Sequence, residues 1–210
     1  MEKQYVEKIK KSYMSIFGIV INALTLLFYL ILYYYGNLFG KLPIYINVFL
    51  AFWILTNIVL IVQERNNKIK VDHISVLRYL IVNIVSGFSI ALGFSTIYVF
   101  GAIVNGYEVF SYWLLIIGSM MLSFLGSHIF FCSEFEISKN FSNNFFNLIG
   151  ILLKLSSFII LIYISIIVPV TQKENNFIWL SILILLVIDS FLIRPYFNYG
   201  LYVYDSREKE

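Results

Sequence analysis

Six apolar runs, each about twenty residues or longer and separated by short polar connections, leave this chain few ways to fold. In hydrocarbon an unpaired backbone N–H or C=O costs several kcal/mol, so a spanning segment must be a helix or a strand of a closed barrel. Runs of this length suit a helix, because a bilayer core of roughly 30 Å takes about 20 residues at about 1.5 Å each. Of the 210 residues, 60% are hydrophobic and 13% charged, whereas a soluble domain carries about 25% charged residues. A water-soluble class is thereby excluded. The expected fold is all-α, a polytopic membrane bundle of six transmembrane helices.

The runs fall at about 13–35, 43–62, 76–104, 109–131, 145–170 and 177–197. The first exceeds a signal-peptide core and carries no small-residue cleavage pattern after it, so it reads as a retained helix. It ends in Tyr33, Tyr34 and Tyr35, as befits a membrane interface. The third run, at 29 residues or roughly 43 Å, is too long to stand upright and is expected to tilt or project. Before the spans, residues 1–12 form a basic lead-in. Tyr5, Val6 and Ile9 sit three or four apart there, a spacing that fits either an amphipathic helix among headgroups or a solvated terminus. Residues 198–210 read as a tail, and Pro195 as a helix terminator.

Lys and Arg gather on the cytoplasmic side of membrane proteins. Twelve of the 15 basic residues fall on the side of the amino terminus, Lys41 and Lys173 fall opposite, and Lys154 lies within a span. Both termini are therefore expected to be cytoplasmic, in the cell membrane. The basic amino terminus and the charged loop 63–73 match an anionic lipid leaflet, so the lipid bilayer accounts for them and no nucleic acid is expected.

Lys154 and Asp189 stand inside otherwise apolar runs. A charge at bilayer depth costs roughly 2.5–3.5 kcal/mol on insertion scales, so such residues pair or serve a function. Lys154 lies roughly 14 Å in from Phe145 and Asp189 roughly 12 Å in from Phe197, at about 1.5 Å per residue, so their depths match. One reading is an ion pair that gates, relays protons or meets a polar substrate. The other, preferred here because a one-turn shift of either helix would remove the burial, lets Lys154 snorkel while Arg194 clamps Asp189. Asn83, in the most polar span, is a third substrate or gating candidate. Gly87, Ala91 and Ser95 recur every four residues, as do Ser119, Ser123 and Ser127; these two small-residue stripes are expected to pack together.

Chemistry beyond this is sparse. Cys132 is the only cysteine, so no intrachain disulfide forms. His128, Cys132, Glu134 and Glu136 follow no ligand spacing, and His128 reads as structural. Gly36, Gly40 and Lys41 are one residue short of a phosphate loop, with Leu42 where Ser or Thr would hold magnesium. No nucleophile–base pair or dinucleotide fingerprint can be named, so neither an enzyme nor a cofactor is expected. The leading expectation is a small permease-type subunit for an apolar or amphipathic solute, working with a separate cytoplasmic ATPase. The alternative is a non-transporting interaction or immunity protein that binds a peptide toxin; a helix–helix partner is a further expectation.

Overall fold

The computed structural model describes residues 2–138, 144–169 and 172–207. Every regular element among them is a helix: α1 (Glu2–Lys10), α2 (Met14–Tyr35), α3 (Ile44–Arg65), α4 (His73–Ser95), α5 (Ile97–Val104), α6 (Phe110–Glu134), α7 (Asn144–Ile167) and α8 (Gln172–Arg207). Six helical stretches are long and apolar enough to cross a membrane, with α4 and α5 forming one of them. The chain is a multi-pass membrane protein in which α1 packs on α8. Lys139 and Lys209, both counted for orientation, lie outside the described residues.

The α4–α5 span is the axis of the bundle. Its most apolar stretch is 78% buried, whereas no other span exceeds 39%, and α4 touches α2, α3, α6 and α8. Its sequence allows this, because Ser86, Gly87, Ser89, Ala91 and Gly93 are small enough for neighbours to approach from several sides. Neither tilt nor projection alone absorbs its length. The helix breaks at Thr96, where Ser95 Oγ and Thr96 Oγ1 both donate back to the Leu92 carbonyl, a bonding pattern that bends helices. Trp113 Nε1 then donates to Thr96 Oγ1 at 3.1 Å and fixes the break against α6. At the other end Asp72 caps α4, accepting from the Ser75 N–H at 3.0 Å. That bond holds the Asp72 carboxyl below its ordinary pKa.

The two small-residue stripes do not pack together as expected. Gly87 seats Ile188 of α8, and Ser95 meets Met120 of α6. The serines of α6 turn mainly toward α7, where Ser119 and Ser157 exchange hydrogen bonds. Spacing reveals that a helix carries a small face but leaves its partner open, and α7 supplies small residues of its own.

The lead-in does not stand free as a solvated terminus; one face of it packs on the bundle. Val6, Ile9 and Lys10 are buried, α1 packs against α8 and α4, and Lys10 Nζ donates to the Asn66 and Lys68 carbonyls at 2.5 Å each. Nor does Pro195 end the last helix, which runs on to Arg207 with Pro195 inside it. Proline removes one helical hydrogen bond, but the continuation is held by buried Tyr196, Tyr199 and Tyr202. Tyr202 OH donates to the Val71 carbonyl at 3.0 Å, and Arg207 to the Ile137 carbonyl at 2.8 Å. Residues 198–207 are thus part of the folded bundle.

Candidate functional site

The site is built on the seam between α6 and α7. A Cβ placed on Gly126 would lie 2.7 Å from the Gly150 carbonyl oxygen, and one on Gly150 would lie 2.7 Å from the Gly126 oxygen. Ser119 and Ser157 repeat this close approach two turns away, in antiparallel register. With backbones this close, Lys154 of α7 reaches across the seam: its Nζ donates to Ser127 Oγ of α6 at 2.7 Å and forms an ion pair with Asp189 Oδ2 of α8. Ser127 Oγ in turn donates to Asp189 Oδ1 at 2.8 Å. A hydroxyl accepts and donates at once, so Ser127 closes a three-residue ring that joins three helices.

The structure therefore brings Lys154 and Asp189 together and corrects the preferred expectation of a snorkelling lysine and an Arg194 clamp. Arg194 lies instead over the ring of Tyr13, 5.1 Å from its centroid. The reason is angular: Asp189 faces α6 and α7, with Ser127 and Lys154 already in reach, and Ile188 beside it is directed at Gly87 of α4. Lys154 also lies 5.4 Å from the centre of the Phe158 ring, which adds a cation–π contact.

The pair is not sealed. Its side chains retain 16% and 19% of their exposure, and both line a groove of about 350 Å³. Apart from Lys154, Asp189, Ser127 and Ser190, its walls are apolar or glycine, including Phe130, Ile151, Leu186 and Ile193. Ile151 and Ile193 are exposed on the outer surface of the bundle, so the groove faces lipid. A charged focus inside a lipid-facing apolar groove suits a molecule with a polar head and an apolar body.

Asn83 lies apart from this ring. Fully buried, its Nδ2 donates to the Ile9 carbonyl at 2.8 Å and the Tyr79 carbonyl at 3.0 Å, while its Oδ1 lies 2.7 Å from Ser12 Oγ. Its visible work is to fasten α1 onto α4. Asn83→Leu strands the Ile9 carbonyl, at a cost of about 1–3 kcal/mol for a buried unsatisfied group. The expected result is that α1 detaches, and that limited trypsin digestion cuts at Lys10 and Lys11 far faster than in the wild type.

Residues 3–210 match a family described as a domain of unknown function, DUF5079. The chain belongs to this family. No curated protein and no solved structure matches it.

In this DUF5079 member Ser127 joins the site without having been a site candidate by sequence. Its signal was present, since it lies on the stripe with Ser119 and Ser123, but that stripe reads as packing alone. His128 Nδ1 lies 2.6 Å from Tyr196 OH and supports the neighbouring turn of α8, consistent with a structural role. Glu134 accepts from Asn147 Nδ2 at 3.1 Å, and no group of three metal-ligating side chains is assembled among the described residues.

Proposed function

We propose that the protein is a permease-type subunit of the cell membrane, with cytoplasmic termini, that takes an amphipathic solute from the bilayer into the groove between α6, α7 and α8. The observation that carries this reading is the Lys154–Asp189–Ser127 ring in the wall of a groove open to lipid. A purely structural pair gains nothing from residual exposure, whereas a recognition site needs it. A solute's charged head would compete for Lys154 or Asp189 and its tail would lie along Ile151, Leu186 and Ile193. Sidedness is supported by the excess of basic residues on the terminal side. Movement across the membrane would then draw on a separate ATPase, in keeping with the absence of any nucleotide motif in the sequence.

The test is equilibrium binding of a dansyl-labelled long-chain fatty acid to purified protein in neutral detergent. Ile151→Trp fills the groove from its lipid-facing side and should leave the fold intact while weakening binding about tenfold or more, a difference of about 1.4 kcal/mol. The double variant Lys154→Met with Asp189→Leu should lose the preference for a charged over an uncharged dansyl lipid. Unchanged affinity in both variants would sink the proposal. The interaction-protein reading predicts instead that the double variant Lys154→Met with Asp189→Leu, which removes both charges together, leaves activity intact.

A further inference from the structure

A second feature stands at the end of the bundle that holds both termini. There α3 and α4 leave a niche of about 240 Å³ between them. Its apolar wall is Val59, Val62 and Val82, of which Val59 and Val62 are exposed on the outer surface where lipid tails lie. Its polar end holds Lys10, Arg78 and Tyr79.

Two cations converge on one ring at that end. Lys10 Nζ and the Arg78 guanidinium each lie 5.4 Å from the centroid of Tyr79. Among the described residues the ion pairs are Lys11 with Glu7 and Lys154 with Asp189, so neither Lys10 nor Arg78 has a carboxylate partner. Lys10 spends two of its three protons on the Asn66 and Lys68 carbonyls; these partners are neutral, and the Glu7 carboxylate acts on it only from beyond ion-pair distance. Two cations on one tyrosine ring beside an apolar wall, at a membrane edge, constitute half of an electrostatic contact. The missing half is an anion that carries its own apolar portion.

We infer that this niche binds an anionic phospholipid, with the phosphate on the exposed Arg78 guanidinium, over the buried charge of Lys10, and an acyl chain along Val59, Val62 and Val82. A guanidinium suits a phosphate because its fixed fork of N–H donors engages two oxygens at once. Basic niches between transmembrane helices recognise anionic headgroups on these grounds. Lys10 belongs to α1, its acceptors to the connection after α3, and Arg78 to α4. The bound lipid would therefore draw together the lead-in helix and the two spans it rests on. This site shares no residue with the groove at Lys154, and the two proposals fail independently.

The experiment reconstitutes full-length protein in phosphatidylcholine nanodiscs with and without phosphatidylglycerol. Lipid retained on release is counted by native mass spectrometry, and thermal unfolding is followed alongside. Phosphatidylglycerol should be retained in preference to phosphatidylcholine and should raise the unfolding temperature. Arg78→Gln, an exposed change that removes no hydrogen bond of the bundle, should lower that retention about tenfold or more. Val62→Trp, which obstructs the apolar wall without touching either cation, should do the same. Lys3→Gln with Lys8→Gln, which removes twice the charge of Arg78→Gln but lies outside the niche, should leave it unchanged. The inference is overturned if Arg78→Gln retains phosphatidylglycerol like the wild type, or if the Lys3 and Lys8 changes lose as much. Inorganic phosphate alone producing the same thermal shift would overturn the lipid as its source.

Discussion

Lys154→Met alone is expected to destabilise the folded protein by about 3–5 kcal/mol, because it strands a largely buried Asp189 without its counter-charge. Asp189→Leu alone strands Lys154 and should cost a similar amount. Ser127 cannot compensate, since its single hydroxyl proton is a weak substitute for an ammonium group. The double variant, Lys154→Met with Asp189→Leu, removes both charges together and should recover most of the loss, as apolar replacements of buried pairs commonly do. The exchanged pair, Lys154→Asp with Asp189→Lys, should also recover. Ser127 donates to a carboxylate or accepts from an ammonium on either side, so the ring closes with its polarity reversed. Membrane-inserted level and unfolding temperature in detergent report all four variants. If each single variant accumulates and melts like the wild type, the pair does not stabilise the bundle.

A comparable loss is expected from Gly126→Leu, for a different reason. The first atom added at position 126 meets the Gly150 carbonyl oxygen at 2.7 Å and the Lys154 backbone nitrogen at 3.0 Å. Neither is the end of a flexible side chain, so relief requires the helices to separate. Overpacking costs typically 1–3 kcal/mol, and a clash with backbone belongs at or above the top of that range. Separation would also draw Lys154 away from Ser127 and Asp189, so Gly126→Leu and Lys154→Met should be strongly non-additive. Gly118 provides the internal control on the same helix. No atom lies within 4 Å of a Cβ built there, and Gly118→Ala should be neutral or stabilising by up to about 1 kcal/mol through helix propensity. A thermal-unfolding series on the three variants, with equal losses at 126 and 118, would refute the seam as the source of the effect.

The six spans are legible because hydrocarbon leaves the backbone no alternative, and long apolar runs declare themselves without reference to any partner. What the sequence conceals is azimuth. Matched depth brought Lys154 and Asp189 to the same level, yet whether Asp189 turns toward Arg194 or across to α7 depends on rotation about α8, which Ile188 sets by seating on Gly87. The same ambiguity hid Ser127 and misassigned the partner of its stripe. Pro195 illustrates a second limit: its local preference for ending a helix is real, and the buried tyrosines that follow override it through contacts distant in sequence. Lys10 is a third case, a residue type that reads as solvent-facing until the carbonyls of Asn66 and Lys68 are placed beside it.

The contacts of α1 bear on how the molecule is made. α1 leaves the ribosome before its partners, which are Asn83 on α4 and, later still in the chain, α8. Until α8 is made, α1 has only the α4 part of its docking surface. The full docking of α1 must therefore follow the synthesis of α8, so a chain that stops short of α8 would leave one side of α1 uncovered.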